Sequence, residues 1–256
     1  KDDSDKKNVQ KVRKLIHSID GFKKVHIIEN EHNLGLAKNI ISGVTQIVNE
    51  YSKVIVLEDD LITSPWFLNF MNDALDKFEN ENRIGHIQGY CYPLENIPDA
   101  FLTRWIGSWG WGTWKRSWNI FNPDGALLLN EIEKKGLSRK FDFNGKYPYT
   151  KMLRRQIKGE NNSWAIRWNA TLFLNDILSV NAGKSLIQNI GFDGTGIHSG
   201  SDDIYTTPLH KERLNIDIKQ IKEDKKVRAA IEEYHGKTYS FIAKAKRRIN
   251  SYLRKE

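Results

Sequence analysis

The chain has 256 residues, of which 39% are apolar and 28% charged, with a formal net charge of +8. That length carries one large domain or two small ones around a sizeable core, and no run approaches the roughly 18 apolar residues a membrane span requires. A single cysteine, Cys91, excludes a disulfide framework and suits a reducing cytoplasm. Lys1 is followed by no positive-then-apolar signal segment, so the chain reads as a fragment or a processed form. Asn161-Asn162-Ser163 and Asn169-Ala170-Thr171 match the glycosylation sequon, which chance explains in an Asn-rich chain without a secretory signal. The basic excess gathers towards the end, in Lys222, Lys225, Lys226, Arg228, Lys244, Lys246, Arg247, Arg248 and Arg254. A basic tail on a nearly balanced body suggests an appended helix, and no nucleic-acid-binding signature accompanies it.

In chain order, residues 8–19 place Val9, Val12, Leu15, Ile16 and Ile19 at helical spacing. The β-branched run at 23–29 reads as a strand. A helix over 36–50 follows, with Leu36, Ile40, Val44, Ile47 and Val48 on one face, and then a strand at 53–57. Helix–strand–helix–strand with apolar strands is the pattern of a parallel sheet. Ser64-Pro65 marks the next helix, a side-chain cap followed by Pro at the first helical position. Phe67, Phe70, Met71, Ala74 and Phe78 form its buried stripe, and 84–91 reads as another strand. Trp105, Trp109, Trp111, Trp114 and Trp118 then crowd together around Gly107, Gly110 and Gly112. Helical signals return at 125–135 and 147–158, strand-like runs at 171–180 and 185–190, and a Gly-rich loop at 191–200. The tail from 211 to 256 looks helical, with Phe241, Ile242, Ala245, Ile249 and Tyr252 on one side and basic residues beside them. Such a helix can bind an anionic membrane surface or pack on the domain.

The strand at 53–57 ends in Glu58-Asp59-Asp60. Ligands of open parallel sheets bind at the carboxyl ends of the strands. Carboxylates gathered there repel one another unless a cation neutralises them, and hard divalent cations prefer oxygen ligands. Mg²⁺ or Mn²⁺ held by one or two carboxylates completes its shell with waters and substrate phosphates, which points to a diphosphate-bearing ligand. The alternative is a charged turn complementing the next helix N-terminus.

"NLGLAKNIISGV" at 33–44 followed by "VIVLEDD" resembles the inverting glycosyltransferases of family 2 and their relatives. The Glu-Asp-Asp form is similar to that of the Golgi N-acetylglucosaminyltransferase that opens the complex N-glycan pathway. "GSWGWGTWKRSW" at 107–118, "SWAIRW" at 163–168 and "NIGFDGTGIH" at 189–198 resemble bacterial capsule and lipopolysaccharide sugar transferases. The resemblance spans roughly 25–200 in the family's order. It implies a GT-A-like α/β domain over 1–210, an open and mainly parallel sheet flanked by helices, whose first supporting strand is missing, with the basic helical tail over 211–256.

The resemblance further implies a hexosyl- or N-acetylhexosaminyltransferase moving a sugar from a nucleotide-diphosphate sugar to a glycan or lipid-linked acceptor in surface polysaccharide synthesis. Its setting would be the cytoplasm, peripheral on the inner face of the cell membrane. Asp60 becomes the ligand of Mn²⁺ or Mg²⁺, with Glu58 and Asp59 in support at ribose or metal-bound water. Asn33 and Gly35 form the turn near the nucleotide, and Lys38 offers it a cation. His198 matches a histidine that approaches the metal or diphosphate. Aromatic faces stack on sugars while other Trp residues fill the core, and Trp109 and Trp111 are the two expected at the substrate. An inverting transferase needs a carboxylate base, and relatives carry an Asp where this chain has Ala165. Glu160, Asp142 or Asp176 would then substitute, unless the chemistry is retaining. A protein that keeps the fold and binds a nucleotide-sugar or carbohydrate without turnover is the alternative.

Overall fold

The structure, a computed structural model, describes residues 3–191 and 205–240. Helix α1 (Asp3–Ile16) forms where its periodicity predicts, yet Val9, Val12 and Leu15 remain exposed. The strand expected at 23–29 is absent. Residues 23–30 are irregular, and Val25 and Ile28 are exposed. A β-branched run becomes a strand only where a neighbour takes up its backbone hydrogen bonds, and no strand among the described residues flanks this one.

Helix α2 (Leu36–Tyr51) buries Ala37, Val44 and Val48. It ends at Ser52, whose φ of 67° and N–H bond to Val48 O turn the chain straight into strand β1 (Lys53–Val56). Strand β2 (Leu61–Thr63) follows. Ser64 accepts bonds from Trp66 N at Oγ and from Phe67 N at its carbonyl, so Pro65 lies in a turn and helix α3 (Phe67–Lys77) starts two residues later than expected. The remaining strands are β3 (Ile84–Gln88), β4 (Ala100–Thr103), β5 (Trp111–Trp114), β6 (Leu178–Ala182) and β7 (Ile187–Asn189). Between them run α4 (Lys115–Trp118), α5 (Gly125–Lys134), α6 (Ser138–Phe141), α7 (Tyr149–Ile157) and α8 (Trp164–Leu174), and α9 (Lys225–Tyr239) comes last. The strand-like run at 171–180 is therefore divided: its first part closes α8 and the strand begins at Leu178. Ser163 Oγ caps α8 by accepting from Ile166 N, and nearly every residue of the helix is buried. A helix apolar on all sides carries no 3.6-residue signal to distinguish it from a buried strand.

The main sheet has the order β1-β5-β3-β6-β4, with β2 and β7 paired beside it. It is mixed and not mainly parallel. Only β3 and β6 pair in parallel, whereas β1/β5, β3/β5 and β4/β6 are antiparallel. Strands β1, β3 and β6 still run the same way. The Trp-rich segment accounts for the difference by inserting β5 between β1 and β3. Gly112 suits that position, since a Cβ there would stand 3.0 Å from Val54 O.

One core unites Phe67, Met71, Ile87, Leu153 and Val180, and a second packs Val44 and Val48 under Trp111, Trp118, Trp164 and Trp168. The boundary expected at 210 separates nothing as far as residue 240. Leu214, Val227 and Ile231 belong to the main core, and Glu223 pairs with both Arg104 and Arg228. The amphipathic stretch 241–252 lies outside the described residues. No helix among the described residues is long and apolar enough to cross a membrane.

Candidate functional site

Trp111 stands opposite Val56 of β1 and Gln88 of β3. The segments leaving β1 and β3, and the one entering β5, therefore meet at one edge of the sheet. Leu57–Asp60 supplies charge there; Tyr90, Tyr92 and Trp109 supply rings.

At the charged corner, Asp60 is fixed from the β2/β7 pair. Ile190 N donates to Asp60 O at 2.9 Å and Asn189 Nδ2 to Asp60 Oδ2 at 3.2 Å. Asp60 Oδ1 is buried with no hydrogen-bond partner. Gly191 is needed beside it, because a Cβ at that position would fall 2.5 Å from Asp60 Oδ2. This glycine makes room for the carboxylate. Burial, and then Asp60 and Asp59, push the Glu58 carboxyl up to about 7. Asp59 is exposed.

Helix α2 reverses into β1 through one residue, so its N-terminus lies at this same end. Asn33 Oδ1 accepts from Gly35 N at 2.8 Å, Gly35 adopts φ 74°, and no side chain caps the helix. Lys38 is exposed on its first turn. The expected turn is present and leaves helix N–H groups and a cation at the carboxyl end of β1.

On the aromatic side lies a cavity of about 190 Å³. Trp109 stands edge-on to Tyr90 at 4.7 Å and to Tyr205 at 5.5 Å, and Trp105 stacks on Tyr92 at 4.9 Å. Tyr147 and Tyr149 close another wall. Ala165 and Asn169, one helical turn apart on α8, also line the cavity, and none of the described lining residues is charged. Trp109 thus lines the cavity. Trp111 does not: it is fully buried between Trp164 at 4.9 Å and His86 at 5.3 Å, a core filler away from the cavity.

The three carboxylates named as substitute bases are dispersed, and each serves the fold. Asp142 accepts from Thr150 N at 2.6 Å and Thr150 Oγ1 at 2.5 Å, fixing the start of α7. Asp176 holds Arg104 Nε at 2.8 Å. Glu160 pairs with Arg155 on the exposed end of α7 at 3.0 Å. None of them lines the cavity. His198 lies outside the described residues. Among the described residues no three acidic, His or Cys side chains converge as a ready metal cage.

The tyrosines and Asn169 escaped the sequence reading. "YCY" directly after β3 was the available signal, since Tyr90 and Tyr92 follow a strand's carboxyl end. Tyr147, Tyr149 and Asn169 reach the cavity through helix packing that no local pattern encodes. Compared with protein-family models and with curated proteins, the chain matches none.

Proposed function

We propose that this protein is a metal-dependent glycosyltransferase that moves a sugar from a nucleotide-diphosphate sugar to a glycan or lipid-linked acceptor. The observation that carries the reading is Asp60: a carboxylate oxygen buried without a partner, beside a Glu58 held up to about 7, at the carboxyl end of β1. Buried polar groups without partners are rare and call for an explanation. A hard divalent cation, Mn²⁺ or Mg²⁺, supplies one. Asp60 would hold it, with Glu58 or Asp59 in support, and its remaining positions would go to waters and phosphate oxygens. The unmet oxygen of Asp60 beside the raised Glu58 fits a cation held by few protein ligands.

Such an ion supplies charge stabilisation on the departing nucleoside diphosphate. The chain's own groups do the rest. The Asn33–Gly35 turn and the uncapped α2 N-terminus favour an anion, and Lys38 adds a positive charge on the first turn. Trp109 offers a ring face or edge to a sugar, and the aromatic walls exclude water, which strengthens every charge interaction at the rim.

A second reading rests on a specific observation. Among the described residues the cavity wall presents Ala165 and no carboxylate, so no named side chain stands ready to take an acceptor proton. A protein that binds the sugar or nucleotide-sugar without turnover fits that wall equally well. A donor screen with Mn²⁺ separates the two. Transfer to an acceptor, or hydrolysis of a donor, supports the transferase; metal-dependent donor binding with neither supports the binding protein.

A further inference from the structure

We propose that the aromatic cavity takes a single uncharged sugar ring, with Asn169 Oδ1 accepting a hydrogen bond from its hydroxyl or amide N–H. This deepens the sugar-binding half of the functional reading and needs neither the metal nor turnover.

Three features select the ligand class. Asn169 is only 4% exposed, lines the cavity, and leaves Oδ1 without any partner. A buried acceptor left unmet costs about 1–3 kcal/mol, so an occupant with a donor to offer is favoured over an acyl chain or a plain aromatic ring. Among the described residues the walls carry no Lys, Arg, His, Asp or Glu. A uronate, a sialate or a sugar phosphate placed there would lose its water with no counter-charge in return, which a buried ion tolerates poorly. Trp109, Tyr90 and Tyr92 give broad apolar faces suited to the C–H face of a pyranose. At about 190 Å³ the space is smaller than the roughly 300–1,000 Å³ of drug-sized sites. One ring fits that size better than an extended oligosaccharide.

The arrangement on α8 supports a positioning role for Asn169. It follows Ala165 by one turn, so both look into the same space, while Trp168 and Ala170 on either side of Asn169 are wholly buried. The backbone that presents Asn169 is therefore fixed by core packing. Its matching sequon is irrelevant in the folded chain, since both Asn169 and Thr171 are buried.

The test is saturation-transfer NMR on the full chain, without metal or nucleotide, using glucose, galactose and N-acetylglucosamine against glucuronic acid and glucose 1-phosphate. At least one neutral sugar is expected to bind, and the charged sugars at least tenfold more weakly. Asn169→Leu should weaken the neutral sugar about tenfold, the equivalent of about 1.4 kcal/mol for a lost hydrogen bond. Trp109→Ala, a change at a half-buried ring, should abolish it and serves if the Leu variant does not fold. Equal binding of glucuronic acid or glucose 1-phosphate overturns the proposal. So does the absence of binding by every neutral sugar, or neutral binding unchanged in a folded variant. Neutral binding without transfer in any assay would sink only the transferase reading. Transfer confined to charged acceptors would sink only this one.

Discussion

Two regions share the edge of the sheet where β1 and β3 end, and their chemistry is opposite. At the charged corner Glu58, Asp59 and Asp60 crowd three carboxyls, one of them with a buried oxygen that nothing satisfies. Across the rim the aromatic cavity has no charged side chain in its walls among the described residues. Each is poor design for a folded protein alone, and each becomes intelligible with an occupant of the missing character. The corner suits a cation and the phosphates it brings; the cavity suits a neutral ring. The difference teaches where charge would be handled under the proposed function: a donor's diphosphate would lie at the acidic corner, and the transferred or accepting sugar in the aromatic cavity.

The sharpest way to break that division is to put a carboxylate into the cavity. Ala165→Asp does so on the α8 wall of the cavity. If the chain is a transferase lacking only that group, transfer should rise by about 10²–10⁴-fold, measured as initial rate with one donor and one acceptor. An unchanged or lower rate places the base elsewhere.

Next in size is the contrast between the two tryptophans. Trp111→Ala should lose about 3–5 kcal/mol of stability, read by denaturant unfolding, because the ring is fully buried between Trp164 and His86. Trp109→Ala should keep most of the stability and lose sugar binding. Equal destabilisation by both would mean that Trp109 is also a core residue.

The dispersed carboxylates should affect folding more than chemistry. Asp142→Asn weakens the hold on Thr150 at the start of α7 and should cost about 1 kcal/mol, as for a lost helix cap. Glu160→Gln removes an exposed pair and should shift stability by no more than about 0.5 kcal/mol. Neither should slow transfer. A tenfold loss of rate in either would restore that residue as the base.

A pH dependence is also expected far from the rim. His235 is buried among Tyr92, Phe143 and Tyr147 with both ring nitrogens unpartnered, and burial pushes it down to about 4. Between about 4 and the ordinary 6.5 the unfolded chain binds a proton that the folded one does not. That stability contribution is complete above 6.5 and is lost as pH falls towards 4. His86, pushed down to about 3 by burial, acts in the same sense. Melting curves from pH 7 to 4.5 should fall for the wild type and less steeply for His235→Phe.

The legible parts of the molecule were those whose signal is local. Helix α2, the strand at 53–57 and the acidic triplet follow from spacing, and so does the turn at Asn33–Gly35. The strand at 23–29 failed because β-propensity without a pairing neighbour decides nothing. The mixed sheet failed because "WGTW" at 111–114 shows neither alternation nor a β-branched run, and only tertiary packing makes it the strand between β1 and β3. Of the site, the carboxylates announced themselves as an anomaly, whereas Asn169 sits unmarked inside an apolar helix. Residues that complete a cavity through packing leave no trace in their own neighbourhood.

The most direct test of the central claim is calorimetric titration of uridine and guanosine diphosphates into wild type and Asp60→Ala, with and without Mn²⁺. At least one nucleotide should bind the wild type only with Mn²⁺, and binding should vanish in the variant. The variant's melting temperature should change little, since Oδ1 has no partner and Oδ2 accepts only the 3.2 Å bond from Asn189. Metal-independent binding, or equal binding by wild type and variant, would contradict the account.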